Sequence, residues 1–484
     1  MEGALAAIAR ENARTDEVWS DDIAEILAIF ALSDGIHFDE HLLDGAKKIL
    51  IDTIAVALGA FHHPAAASAR RYLDFFPADP TGVAIWGASR KATPDKATLV
   101  NGVLLRCYDY NDVMIGRLGA GHPSDMIAAL ISLCDWRDIG GRQLLEAIVI
   151  GYEVAEALHE ITPAEAAGWD HANVSALAAT CALGRLMQLP HEQMREALGI
   201  AAIEHVQSNE IESSALNQRG DLTMWKRFHG ADAMRHALDS CLLAAAGAEG
   251  PVRPFRGKLG FLNIFGIKDD PAPYLAEKLA FGRCSGAVHR TNFKRWPVGS
   301  RAQSAIASAL DAARQAQGAP ITKVHVRTEA DVYQHLVAIR QDPWHPVSRE
   351  TADHSLPYIV GAATLDGYIN VGSFDLDKVL DPARAEFIAR CVTVELATDI
   401  VGVRNGHNLS QVEATAADGR RLIGLCAAAP GHKANPFSHA DLRDKLHENS
   451  DLLFGKVRSA QIFDIISGLE NTSVKQFTHY LMKD

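Results

Sequence analysis

From about Trp19 to Gly286, apolar residues return every three or four positions. They do so in DIAEILAIFAL, HLLDGAKKILIDTIAVAL, QLLEAIVIGYEVAEALHEI, VSALAATCALGRLMQL and HALDSCLLAAAG. That period predicts one amphipathic or buried helix after another, each bounded by Gly, Pro, Asp or Ser, and the richness in alanine and leucine favours helix over strand. No unit repeats at a fixed period, so the pattern is not that of a solenoid.

Near residue 290 the period changes. ITKVHVRT sets Val324 and Val326 on one face against His325 and Arg327, and CVTVELAT alternates Val392, Val394 and Leu396. QVEATAADGRRLIGL places Asp418-Gly419 between two short runs, a hairpin signal. Helical text such as SAIASALDAARQA is mixed among these strands, and after PGHKANPF it returns with Ser438 as the expected N-cap. The predicted fold class is mainly α. A large helical domain comprises residues 1–289 and 431–484, and a smaller α+β domain is inserted at 290–430.

Composition narrows the function. A 484-residue chain is long enough for two domains, and 48% hydrophobic with 22% charged residues is ordinary for a globular protein. A formal net charge of −13 argues against nucleic acid as a partner, since that affinity comes from many Lys and Arg contacts to phosphate. A small anionic substrate stays open, because a few cations in a cleft outweigh the global field locally. Apolar windows such as ILIDTIAVALGAF are broken by acids well before the roughly 20 residues a bilayer span needs, and the first residues lack a basic start followed by a long apolar run. A cytoplasmic protein without membrane contact is expected. The 7 cysteines form no C-x-x-C pair, so neither a disulfide framework nor a cysteine-held metal is predicted.

Four stretches carry candidate chemistry. DYNDVMIGRLGAGHPSD gathers Asp109 and Asp112, then Gly116, Gly119 and Gly121, then His122, Ser124 and Asp125 before the apolar run MIAALISLCDW. Ser124 or Asp125 is expected to cap that helix, leaving N–H groups for an anion beside His122. DLTMWKRFHGADAMRHAL brings Lys226, Arg227 and His229, and FKRWP brings Lys294 and Arg295, each before a helical run. Carboxylates pair well with such cations. SRETADHSLPYIVGAATLDG sets Asp353, His354 and Tyr358 close together, with Pro357 interrupting any clean helical face. Each stretch also reads blandly, as an ordinary turn, solvated surface charge, or a buried and satisfied histidine. HFDEH has metal-like spacing without a third ligand, and no nucleotide-binding glycine loop occurs.

Taken in order, NGVLLRCYDYNDV, GHPSD, MWKRFHGADAMRHAL, FKRWP and SRETADHSLPYIVGAATLDG resemble the MmgE/PrpD family from about residue 20 to 470. That family includes 2-methylcitrate dehydratases, cis-aconitate decarboxylases and an iminodisuccinate epimerase. The resemblance implies a helical domain built from both chain ends, an α+β lid, a homodimer, a site between the domains, and no cofactor or metal. It puts the acids and bases of the site on Asp109, His122, Lys226, Lys294 and Tyr358. Asp109 and His122 stand as base and acid in either order, with Tyr358 as an alternative donor. Lys226 and Lys294 hold substrate carboxylates, with Arg295, Ser124, His354, Asp112 and His229 as further contacts. Two departures bear on substrate. Val113 stands where many relatives have Thr, and VGSR follows Pro297 where relatives often place a His. The wording is most like the methylcitrate dehydratase branch, which implies elimination of water from a 2-hydroxy tricarboxylate. The alternatives are a decarboxylase or epimerase on the same scaffold, or a non-catalytic binding or scaffold protein.

Overall fold

The computed structural model describes residues 21–204, 206–212, 222–280, 282–399 and 408–483. The first 20 residues, on which the absence of a leader was read, lie outside the described set. The chain is mainly α, as its periodicity predicts.

Buried apolar side chains form two clusters. One runs from Ile23 to Val288 and resumes from Phe437 to Leu481, while the other lies between Trp296 and Ala429. At the centre of the first is helix Glu40–Gly59, in which every residue from Ile49 to Leu58 is buried. Asp39 starts it by accepting from the Leu42 N–H at 2.9 Å. The whole of ILIDTIAVAL is apolar except Asp52 and Thr53, so this stretch has no solvent face, and Asp52 needs a partner inside the protein. Helix His439–Ser467 packs against it and supplies Lys445, whose Nζ lies 2.6 Å from Asp52 Oδ1. Ser438 caps that helix as expected, with Asp441 completing a capping box.

The second cluster packs under one four-stranded sheet. Strand Ile321–Thr328 lies between Val392–Leu396, to which it runs parallel, and Ser410–Ala416, to which it runs antiparallel. Arg421–Leu425 completes the sheet through a hairpin whose Gly419 sits at φ +85°, the turn that Asp418-Gly419 predicts. Val324 and Val326 point into the core, but in Val392–Leu396 only Val392 is fully buried.

The glycines of the opening stretch have a reason. Met114–Ile115 and Ala120–Gly121 pair as a tiny hairpin laid on the end of helix Gly141–Ile161. The Leu118 and Gly119 N–H groups both donate to the His159 carbonyl. A Cβ at Gly121 would come within 2.6 Å of the His159 ring. Close approach demands glycine there, and positive φ does not.

Among the described residues, no single helix is long and apolar enough to cross a membrane. All seven cysteines are unpaired.

Candidate active site

A cavity of about 970 Å³ is lined by residues of both clusters' segments. Five of the sequence-predicted residues meet in it: Asp109, His122, Lys226, Lys294 and His354. Arg106, Asp170 and His171 line it as well.

Asp109 lies just beyond helix Pro94–Arg106, in a left-handed conformation with φ 46°. Lys294, only 1% exposed, fixes it by donating to its carbonyl oxygen at 2.7 Å and to Oδ1 at 2.9 Å. Burial by itself would raise the Asp109 carboxyl. That is the largest single effect, but the Lys294 ammonium first and then the other positive groups around it, Arg106 at 3.9 Å and Lys226 among them, together outweigh it and hold the carboxyl well below the usual carboxylate range.

His122 has a defined tautomer. Its Nδ1 is hydrogen-bonded to the Asp112 carbonyl, which only accepts, so Nδ1 carries the proton and Nε2 the lone pair. Nε2 stands 3.8 Å from Asp109 Oδ1. Burial, then Arg106 and Lys294, push the imidazole well below its ordinary value, so the ring is neutral and leaves a lone pair free at Nε2.

On the facing side, Lys226 lies in the short 3-10 turn Met224–Arg227, and its Nζ is 3.0 Å from His354 Nε2. An ammonium only donates, so His354 Nε2 accepts and its Nδ1–H goes to the Asp353 carboxylate. Arg227 Nη2 lies 3.8 Å from that carboxylate. The result is a buried Lys226–His354–Asp353 chain. Burial and the neighbouring Lys226 charge keep His354 below its usual range, hence neutral.

Other expected contacts are not in the cavity. Tyr358 is 1% exposed, and its hydroxyl donates to the Ser373 carbonyl at 2.8 Å. Burial pushes its phenol up to about 12, which makes it a poor proton donor. Pro357 lies in the first turn of helix Leu356–Asp366, which turns the following side chain into the second core. Arg295 is spent on a two-pronged pair with Glu448, at 2.7 Å for each oxygen. Asp112 is buried and accepts from Tyr152 and Thr291, so it supports His122 through its carbonyl and does not touch the cavity. Ser124 does not cap a helix: its N–H donates to Asp112 and its hydroxyl accepts from Asn111. Neither does Asp125, and with the Asp125 N–H held by the His122 carbonyl this helix start has no anion seat of the kind expected. His229 is fully buried behind the wall.

The two departures both lie at the cavity. Val113 lines it, tied to Asn292 by a pair of backbone hydrogen bonds at 2.8 Å. A Cβ on Gly299, in the VGSR segment, would lie 3.4 Å from Asp109 Oδ2. Sequence reasoning passed over Arg106 and the Asp170-His171 pair. The latter had a signal, since GWDHANVSALAAT repeats the histidine-then-apolar-helix form of GHPSD.

A helical body and an α+β unit share one cavity lined with cations and imidazoles. The comparisons with known proteins identify the family. Residues 25–273 match the MmgE/PrpD N-terminal domain and residues 296–471 the MmgE/PrpD C-terminal domain. The chain belongs to the MmgE/PrpD family. It is 24% identical over 419 residues to a fungal alkylcitrate dehydratase, covering 80% of this chain and 79% of that one. To the cis-aconitate decarboxylase of Homo sapiens it is 22% identical, covering 92% and 90%. To the mitochondrial 2-methylcitrate dehydratase of Yarrowia lipolytica it is 22% identical, covering 78% and 72%.

Proposed function

We propose that this protein is a lyase that removes water from a 2-hydroxy tricarboxylate of the alkylcitrate type, without redox chemistry. The observation that carries this reading is the fixed tautomer of His122, a neutral imidazole presenting its Nε2 lone pair to a cavity rich in cations. Elimination needs a proton taken from carbon next to a carboxylate, a proton given to the leaving hydroxyl, and fixed charge to hold the carboxylates.

His122 Nε2 takes the carbon-bound proton. Asp109 is a weak base while Lys294 grips it, so its part is to orient Lys294 and to accept from the substrate hydroxyl. Lys226, oriented by the His354 Nε2 that accepts from it and whose tautomer Asp353 fixes, gives the proton to the departing hydroxyl, and solvent then reprotonates the Lys226 amine and takes the proton from His122. Arg106 and Lys294 hold carboxylates. The α+β unit serves as a lid and the chain works as a cytoplasmic homodimer.

Two of the relatives named above are dehydratases, which supports elimination. The cis-aconitate decarboxylase aligns over more of the chain, and its activity is the second reading. Incubation of the purified protein with 2-methylcitrate, citrate and cis-aconitate, followed by NMR, separates the two. Water loss gives an olefinic tricarboxylate, decarboxylation gives carbon dioxide and a dicarboxylate, and neither product leaves a binding or scaffold protein.

A further inference from the structure

The two clusters of buried side chains meet at an arginine that lies outside the lining of the cavity. Arg349 opens helix Arg349–Ala352, and its side chain is 15% exposed. Its guanidinium carbon lies 4.3 Å from the ring centroid of Tyr108, a member of the first cluster, and 5.5 Å from that of Phe374, a member of the second. Nη1 donates to the Val371 carbonyl at 3.0 Å, and Asp375 Oδ1 stands 3.8 Å from it on a side chain that is more than half exposed. Nε and Nη2 are buried without a hydrogen-bond partner among the described residues. Two unpaired donors in a dry place are costly. The compensation is the face of the Tyr108 ring, since a planar, weakly hydrated guanidinium stacks well on an aromatic surface.

This contact joins the two sides of the site. Tyr108 immediately precedes Asp109, whose left-handed backbone leaves little freedom between that ring and the Asp109 carboxylate. The His63 ring backs Tyr108 edge-on, with centroids 5.1 Å apart. On the other side, the Asp353 N–H donates to the Arg349 carbonyl at 2.9 Å, so the turn that starts with the arginine ends at the pair that orients Lys226. Lys226 belongs to the helical body and His354 to the α+β unit, so their 3.0 Å contact depends on the register of the two units. Other charged contacts across the junction are longer. Arg227 reaches Asp353 at 3.8 Å, and His335 reaches Glu165 at 3.7 Å on a carboxylate that is largely exposed and screened.

We propose that Arg349 is a positioning residue: by stacking on Tyr108 it locks the α+β unit to the helical body and holds the Asp109 side of the cavity in register with the Lys226–His354 pair. Loss of the stack frees both segments together. The proposal concerns geometry and holds whether or not the chain eliminates water.

The test compares the full chain with Arg349→Leu, Tyr108→Leu, Tyr108→Phe and the double leucine variant. Amide hydrogen exchange, read by mass spectrometry, follows residues 106–112 and 349–356, with helix Glu40–Gly59 as the internal reference. Exchange in both segments should quicken by about tenfold or more in each single leucine variant, and by no more in the double variant, while the reference helix keeps its protection. Tyr108→Phe keeps the ring face and should stay within about twofold of the wild type. A second readout is the His354 imidazole, assigned through His354→Gln in protein labelled with 15N-histidine. Burial first, then Lys226 and Arg340, hold it below its ordinary range against Asp353, so water entering around it in the leucine variants should move its titration upward. If Arg349→Leu does not fold, Arg349→Lys, which keeps the charge without the planar face, takes its place with the same expected result. Unchanged exchange in either segment, additive effects in the double variant, Tyr108→Phe as fast as Tyr108→Leu, or equal loss of protection in the reference helix overturns the proposal. None of these readouts uses turnover, so failure of the lyase reading is seen separately.

Discussion

Lys294 holds Asp109 at two points, its main-chain carbonyl and its carboxylate, while Asp109 keeps a left-handed backbone that is unfavourable for a residue with a Cβ. One ammonium therefore fixes both the loop and the charge at the centre of the cavity.

Replacing Lys294 by Met removes that grip. Each charge-assisted bond of this kind contributes about 1.5–3 kcal/mol, so losing one from the transition state should lower kcat/KM by about ten- to two-hundredfold. The pH profile should also change. With the ammonium gone, burial dominates and the Asp109 carboxyl rises, so activity is lost as pH falls through a higher value than in the wild type. Steady-state kinetics between acid and neutral pH check both effects.

Asp353 acts through His354. In Asp353→Asn the amide offers either a donor or an acceptor to Nδ1, so the ring loses its fixed tautomer and Lys226 its acceptor. The expected outcome is a fall in kcat of about 10²–10⁴ with a smaller change in KM, the range of a general acid–base group. An Asp353→Glu variant that restores part of kcat would separate this role from a purely structural one.

The Asp52–Lys445 pair ties the last long helix to the central one, and Lys445 also donates to the carbonyls of Tyr110 and Lys294. Lys445→Met alone strands a buried carboxylate and should cost about 3–5 kcal/mol. The double variant Asp52→Leu with Lys445→Met should recover most of that loss. Denaturant midpoints at constant m-value measure the difference.

At the cavity mouth, His335 bridges Asp331 at 3.1 Å and Glu165 at 3.7 Å, joining the α+β unit to the helical body. Hydrogen bonds to Asp331 and then to Glu165 raise the imidazole to about 9. Its stabilisation is complete below the unfolded value near 6.5 and disappears as pH rises through 9. The carboxylates are largely exposed, so solvent screening limits the contribution to about 1 kcal/mol or less. His335→Gln should therefore lower the melting temperature at pH 6 and leave it unchanged near pH 10, as read by thermal unfolding across that range.

The helices, the Asp418-Gly419 hairpin and the Ser438 cap were legible because each depends on period or local turn chemistry. Asp109, His122, Lys226, Lys294 and His354 were legible as members of ordered motifs. What the motifs could not show was the direction of each side chain. Tyr358 and His354 stand four residues apart, yet Pro357 opens a helix between them, and one side chain enters the core while the other enters the cavity. Arg295 adjoins Lys294, but neighbours on a chain point apart, and Glu448 from a distant helix captures it. Asp112 and Ser124 serve each other and the His122 backbone support, a pairing only the folded hairpin creates. Arg106 lies inside the NGVLLRCYDYNDV stretch, but nothing there gave it a role; the end of its helix places it at the cavity.

The most direct test of the account is the His122→Asn variant, with saturating turnover on 2-methylcitrate or a longer alkyl homologue and ligand binding measured separately. Asn keeps a polar side chain but has no basic lone pair of imidazole strength. The account predicts binding within a few-fold of wild type and a loss of turnover of about 10²–10⁴. Wild-type turnover in His122→Asn would contradict it.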